Sequence, residues 1–410
     1  MLPRILSLAC LFTFALSAGM SQDGDIQSGK ILKLDLDGKS ITLRVGEKNR
    51  TARLTENTQV RGAQGKTLVE KFKGVKEGAT VLFKIVNRDG EDVLVGLKLG
   101  EAPPSATPGQ RVSGDTSKLL ALPQLGTDKY QGYEGGLYPG GKNERPKDHE
   151  AAGMRLAKEI APRGTDGQPS PDGKIVLLSV GMSNTSQASQ GFEKQLRAAQ
   201  DLNPQFLFVN GAQSGMTASR TQDPTTADGT KFWTTIDQRL KQAGVTNAQV
   251  QAVWIKQADA GPTQGFPAYA KKLQGELAKI VQILPQRFPN VKLCYLSSRT
   301  YGGFATKKLN PEPYAYESGF AVQWLIEQQL KGDAALNCDP AKGKVTAPWL
   351  SWGPYLWANG AKKNADGLFY EVGDFGGDGT HHSGAGTDKQ GRQLLEFFRS
   401  DTTTRGWFVK

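Results

Sequence analysis

Lys174-Ile175-Val176-Leu177-Leu178-Ser179-Val180-Gly181-Met182-Ser183-Asn184-Thr185 is the stretch on which the fold turns. Its first half is a near-continuous apolar run of strand length, which predicts a strand buried on both faces, as in the middle of a parallel sheet. The small residues that follow set a serine hydroxyl at the carboxyl end of that strand, the edge at which open α/β sheets bind ligands. Downstream the pattern repeats. Phe206-Leu207-Phe208-Val209, Val250 to Ile255 and Val291 to Leu296 read as further strands. Helical patterns separate them: around Phe192, Leu196 and Ala199, from Trp233 to Ala243 with Gly244 as the stop, and from Tyr269 to Phe288. Gly319 to Lys331 and Arg392 to Phe398 add two more helices. This alternation predicts a three-layer α/β/α domain with a parallel sheet over residues 174–410.

Upstream the hydrophobic period changes to two. Ile31, Leu34 and Leu36 lead through Asp37-Gly38 to Ile41, Leu43 and Val45, a hairpin pattern. Val81 to Val86 leads through Asn87-Arg88-Asp89-Gly90 to Val93-Leu94-Val95-Gly96-Leu97 in the same way. Residues 25–100 are therefore expected to form a small all-β domain of OB- or SH3-like kind, serving as a spacer or docking module. Residues 101–173 read as a linker, Glu101 to Gly109, and then a Gly-, Pro- and charge-rich lead-in with one helix around His149 to Ile160.

Arg4 followed by the apolar run Ile5 to Ala18 and the small residues Ser17, Ala18, Gly19 and Ser21 predicts a Sec signal peptide over residues 1–21. The run is shorter than the roughly 20 residues a membrane span requires. The expected location is outside the cytoplasm, periplasmic or extracellular, with no transmembrane segment after cleavage. Lys and Arg number 51 against 40 Asp and Glu, a net charge of +11. That balance favours anionic surfaces, so an anionic envelope surface is an expected partner. No basic stripe or reading motif occurs, and nucleic acid is not. Beyond the leader only Cys294 and Cys338 remain, leaving a disulfide and a buried inert thiol both open.

Three strand ends and loops carry residues that suit chemistry. Gly181-Met182-Ser183 is one, though a serine after a glycine is also ordinary turn chemistry, and Thr185 rules out a Gly-x-Ser-x-Gly elbow. Asn210-Gly211-Ala212-Gln213-Ser214-Gly215 is the second, where glycine permits close backbone approach and its N–H suits an oxyanion. The third is Asp374-Phe375-Gly376-Gly377-Asp378-Gly379-Thr380-His381-His382-Ser383-Gly384. It holds two of the chain's 3 histidines, so histidine-dependent catalysis must use it or His149. Asp378 and His381, three apart, can meet so that the carboxylate fixes one imidazole tautomer. Adjacent histidines in extended chain point apart, and no spaced partner set occurs elsewhere, so neither a metal nor another cofactor is expected.

Gly181-Met182-Ser183, Gly215 and Asp378-x-x-His381 before a final helix together resemble the SGNH/GDSL hydrolases, over residues 174–410. The resemblance implies a serine esterase with Ser183 as nucleophile, His381 as general base and Asp378 as its orienter. The backbone N–H groups of Ser183 and Gly215 would form part of the oxyanion hole. The family's asparagine donor after the third strand is missing, because Lys256-Gln257-Ala258-Asp259 puts Ala258 there. Relatives acting on acetylated sugars place a Gln near this point, which implies Gln257 as the amide donor. Trp352, Trp357 and Tyr301 lie near these loops in sequence. Their faces suit sugar rings, with a packed core as the rival explanation. The expectation is an exported carbohydrate esterase acting on small-molecule or polysaccharide esters, O-acetyl groups above all. The rivals are a non-catalytic envelope- or glycan-binding protein on the same scaffold and a lipase or thioesterase of the superfamily.

Overall fold

Two hydrophobic periods divide the chain, two residues in its first part and 3.6 in the long helices beyond. The computed structural model describes residues 26–45, 48–61, 65, 67–88, 91–99 and 111–410. The predicted signal peptide, the Glu101 to Gly109 linker and the Asp89-Gly90 turn lie outside them. The chain separates into two units, Met1–Thr107 and Pro108–Lys410.

The first unit contains β1 (Ile26–Asp35), β2 (Ser40–Val45), β3 (Lys48–Arg53), β4 (Gln59–Arg61), α1 (Leu68–Lys71), β5 (Thr80–Arg88) and β6 (Glu91–Leu99). The strands order β3-β2-β1-β5-β6-β4, and a further β3–β6 pairing turns the sheet back on itself. Ile41 and Leu43 on β2 are buried with Ile31, Val81, Phe83 and Ile85, while Thr42 and Arg44 occupy the other face. The Asp37-Gly38 turn is held by Gly38 N–H donating to Asp35 Oδ1 at 2.7 Å.

In the second unit α2 (Leu122–Leu125), the short pair β7 (Lys129–Tyr130) and β8 (Tyr133–Glu134), and α3 (Lys147–Ala157) precede the main sheet. There follow β9 (Ile175–Gly181), α4 (Ser183–Ala198), β10 (Phe206–Asn210), α5 (Ala218–Thr221), α6 (Ala227–Gln242) and β11 (Val250–Lys256). Then come α7 (Ala268–Arg287), β12 (Leu293–Leu296), α8 (Tyr314–Leu330), β13 (Trp349–Trp352), α9 (Gly384–Ser400) and α10 (Arg405–Phe408). The sheet is five-stranded and parallel, in the order β10-β9-β11-β12-β13. All seven residues of β9 are buried, as are all seven of β11. Both are interior strands with a layer on each face.

Handedness places those layers. The step β9→β10 crosses the sheet one way and β10→β11 the other, so right-handed crossovers put α4 and α6 on opposite faces. The steps to β12 and β13 continue in the second direction, which sets α7 and α8 beside α6. Helix α9 returns to α4. These two approach closely at a pair of glycines: a Cβ on Gly191 would collide with the Thr387 carbonyl, and one on Gly391 with the Gly191 backbone. Larger residues at either position would drive the helices apart.

Several helices begin earlier than hydrophobic pattern alone indicates. Thr226 caps α6 by accepting from Gly229 N–H at 3.1 Å, and Ser383 caps α9 by accepting from Gly386 N–H at 3.4 Å. Gly244 (φ +74°) follows the end of α6 in the left-handed conformation common after helix ends. Trp349–Trp352, which the hydrophobic pattern did not single out as a strand, is the fifth strand, paired with β12 from Leu293↔Trp349 to Leu296↔Trp352. Cys294, in β12, is buried, and both it and Cys338 are free thiols. Among the described residues no helix is long and apolar enough to cross a membrane.

Candidate active site

Ser183 is the first residue of α4, two positions beyond the end of β9. Met182 is extended (φ −102°, ψ −160°), and its carbonyl accepts from Thr185 and Ser186 N–H at 2.9 Å each, which starts the helix. The Ser183 N–H has no partner among the described residues, as expected in a helix's first turn. The partial positive charge of a 16-residue helix is therefore concentrated beside the serine.

The loop before α9 folds on itself. Gly376 N–H donates to the His381 carbonyl at 2.7 Å, and Phe375 bridges to His382. Asp378 Oδ1 accepts from the backbone N–H groups of Thr380 and His381 at 2.9 Å each. Its Oδ2 accepts from His381 Nδ1 at 2.6 Å. With the proton on Nδ1, His381 Nε2 is bare and accepts the Ser183 hydroxyl at 2.7 Å. Burial opposes the Asp378 charge, but the bonds from the His381 side chain and the two backbone N–H groups outweigh it, so the carboxylate titrates well below its usual range. The structure thus joins Asp378 and His381, paired by their spacing, with Ser183, whose role the SGNH/GDSL resemblance implied, in one hydrogen-bonded run.

Gly215 lies in the loop after β10, which is pinned to the end of β9 by Gly211 N–H to the Ser179 carbonyl (3.1 Å) and Gln213 N–H to the Gly181 carbonyl (3.0 Å). Gly215 has φ +75°, a backbone shape that suits glycine, and its N–H has no partner among the described residues. It is available to a ligand.

The other expected site residues require correction. Gln257 is buried, and its amide nitrogen donates to the Met216 carbonyl at 2.9 Å and towards Thr221 Oγ1 at 3.4 Å. Its two amide hydrogens are thus engaged by the Gly215 loop and α5, which leaves neither free for an oxyanion. Trp352 is 2% exposed, with its indole N–H on the Leu137 carbonyl at 2.6 Å. Trp357 is fully buried and donates to Glu312 Oε1 at 2.8 Å. Tyr301 packs edge-on to Phe304 and Trp357, with its hydroxyl against Thr116 Oγ1 at 3.0 Å. All three are core, because flat rings with one polar atom pack well where that atom finds a partner. None offers a face to a sugar. His149 is also structural: it stacks on Trp349 and holds the Leu350 carbonyl at 2.7 Å, and burial lowers its pKa to about 4.

Polar residues that the sequence did not single out lie under Ser183. Asn184 is 1% exposed; its Nδ2 donates to the Thr380 carbonyl at 2.7 Å, and its Oδ1 accepts from Arg299 Nη2 at 2.9 Å. Lys256, at the end of β11, is fully buried with Nζ 3.5 Å from the Asn184 carbonyl. Burial first and Arg299 second drive its pKa well below the usual lysine range, whereas burial lowers Arg299 only to about 10, so the guanidinium stays charged. His382 is driven far below the usual histidine range by burial and then by Lys256 and Arg299, so it stays neutral. A charged residue directly after a buried strand is the one local signal that pointed to Lys256. Among the described residues no cluster of three or more His, Cys, Asp or Glu is arranged to hold a metal ion.

No protein-family model matches the chain, and no curated protein matches it. Among solved structures it is similar to the periplasmic domain of a lipopolysaccharide acetyltransferase from Salmonella ser. Paratyphi A, at 11% identity and TM-score 0.30, covering 61% of this chain and 95% of that one. An extracellular lipase from Streptomyces rimosus is similar at 12% identity and TM-score 0.28, covering 54% and 98%. Escherichia coli CusF residues 10–88 in the silver-bound form are similar at 20% identity and TM-score 0.16, covering 20% and 100%. Likenesses at this level assign the chain to no family.

Proposed function

We propose that this chain is an exported serine esterase that hydrolyses carbohydrate esters, O-acetyl groups above all, through an acyl-enzyme on Ser183. The hydrogen-bonded run Asp378–His381–Ser183 carries the reading, with contacts of 2.6 and 2.7 Å. In this reading His381 Nε2 takes the Ser183 proton as Oγ attacks the ester carbonyl. Asp378 keeps Nδ1 protonated and steadies the imidazolium that forms. The Ser183 and Gly215 N–H groups receive the developing oxyanion, helped by the positive end of α4. His381 then returns its proton to the leaving sugar hydroxyl. Water deprotonated by the same nitrogen releases acetate in the second half.

The sugar part of the proposal rests on the resemblance to SGNH/GDSL hydrolases, since the aromatic side chains first considered for it are core. Export is proposed on the sequence of residues 1–21, and affinity for an anionic envelope surface on the net charge of +11.

The test is hydrolysis of p-nitrophenyl acetate by the wild type and Ser183→Ala, followed by acetate release from an O-acetylated polysaccharide. Activity in the wild type that falls at least about 10³-fold in Ser183→Ala is expected. Equal activity in both would remove Ser183 from catalysis and leave the glycan-binding alternative.

A further inference from the structure

Helix α4 carries more of the site than its first residue. Gln187 lies four residues after Ser183 and three after Asn184, so it shares a helix face with each of them. Asn184 Nδ2 donates to the Thr380 carbonyl at 2.7 Å. Gln187 grips the next peptides twice: its Nε2 donates to the His382 carbonyl at 3.0 Å, and its Oε1 accepts from the His382 N–H at 3.0 Å. These contacts bracket His381, one on the peptide before it and two on the residue after it. The amide orientations are fixed by chemistry. Gln187 meets a group that only donates and one that only accepts, and Asn184 sits between the Thr380 carbonyl and the Arg299 guanidinium. Neither flipping the amide nor replacing it with a carboxylate satisfies both ends.

The loop needs such a grip. Gly376, Gly377 and Gly379 leave its backbone many conformations. Asp378 orders it internally, but those bonds fix His381 relative to Asp378 and not relative to Ser183. On the other side, Thr306 N–H donates to the Asp378 carbonyl at 2.9 Å, so the loop stays attached even if the α4 contacts are lost.

We propose that Asn184 and Gln187 are positioning residues that hold His381 in register with Ser183, so that one helix supplies the nucleophile and aligns its base. The proposal rests on the serine-esterase reading. Gln187 is the better test, being only partly buried, whereas Asn184 is enclosed with Arg299.

The experiment compares wild type, Gln187→Met, Gln187→Glu and the control Lys194→Met, which removes an exposed α4–α9 ion pair to Asp388. Two readouts are taken: kcat and KM for p-nitrophenyl acetate, and the rate at which a fluorophosphonate labels Ser183. Melting curves confirm folding. Gln187→Met is expected to lower both kcat and the labelling rate by roughly ten- to hundredfold, the penalty typical of a base displaced by about 1 Å, with KM unchanged. Gln187→Glu keeps the bond from His382 N–H but sets an oxygen against the His382 carbonyl, so it should fall by a similar factor. Should Gln187→Met fail to fold, Gln187→Glu decides. Wild-type labelling with folded variants that label within twofold of it overturns the positioning role while sparing Ser183. A wild type that does not label overturns the nucleophile reading, and this proposal with it.

Discussion

Asp378→Asn exchanges one oxygen of the site for an NH2 group and isolates what the carboxylate does. Asp378 accepts three hydrogen bonds, two from backbone N–H groups at 2.9 Å through Oδ1 and one from His381 Nδ1 at 2.6 Å through Oδ2. The asparagine oxygen can keep the two backbone bonds, so the loop is expected to retain its shape. Its NH2 group then faces the Nδ1–H, donor against donor. The imidazole escapes by moving its proton to Nε2, the atom that must receive the Ser183 proton across 2.7 Å. Catalysis in the wrong tautomer is expected to lose about 10³–10⁴ in kcat, or roughly 4–5.5 kcal/mol at about 1.36 kcal/mol per decade. KM should change little, because the three bonds that the carboxylate accepts all come from its own loop. The assay is kcat for p-nitrophenyl acetate at pH 8, with melting curves to show that the variant is folded. A folded Asp378→Asn within tenfold of wild-type kcat would refute the reasoning, since the tautomer of His381 would then be set by something other than Asp378.

Two other substitutions test the corrected and the buried groups. Gln257→Leu strands the Met216 carbonyl that the amide now satisfies, so it should lower stability by about 1–3 kcal/mol in denaturant melts. Its kcat should fall less than tenfold, whereas a direct oxyanion donor would lose about 10²–10³ with stability intact. Glu317 accepts from the Tyr130 hydroxyl at 2.9 Å and is pushed by burial up to about 7 from 4.5. The folded state therefore holds a proton there that the unfolded state has released, and stability falls as pH rises from about 4.5 to 7. Glu317→Gln should make that decline shallower, by up to about 3 kcal/mol in melts across the window, while Glu276, also near 7, and the other carboxyls raised by burial keep part of the slope and His149, lowered to about 4, opposes it.

Some of this site was legible because local chemistry is written locally. A buried strand that ends in Gly181-Met182-Ser183 announces an edge, and a chain with 3 histidines leaves few choices of base. Asp378 and His381 lie in the same short loop, so their spacing was enough to pair them. Direction in space was not legible. Gln257 follows a strand end and looks available, yet only tertiary packing decides that its amide turns to Met216. Trp352 and Trp357 stand among glycines and prolines, as cleft residues often do. Burial of the first in a four-residue strand depends on β12 beside it, and burial of the second on Glu312 far along the chain. Arg299 and Lys256, which the sequence reading did not single out, are both buried beneath α4. For Lys256 the only local signal is its place at the end of a buried strand, and Arg299 has none, because the neighbours that enclose a buried cation come from other elements.

The same long-range packing bears on how the site would manage without the asparagine donor that SGNH/GDSL hydrolases present. Ala258 has only a methyl group to offer, and Gln257 is engaged elsewhere, so two backbone N–H groups remain, those of Ser183 and Gly215. A missing donor is worth about 2.7–4 kcal/mol in the transition state. Part of that can come from α4 itself. A helix N-terminus in a favourable, partly buried setting stabilises negative charge by up to about 2 kcal/mol, or about 30-fold in rate. That effect fades within one turn, so it serves only if the nucleophile belongs to the first turn and the base meets it there. Ser183 is the first residue of α4. His381 reaches it because α9 lies against α4 at the Gly191–Gly391 crossing and starts three residues after the histidine. On the esterase reading, the two glycines and the amides of Asn184 and Gln187 answer one requirement: the oxyanion must form where the helix field is strongest.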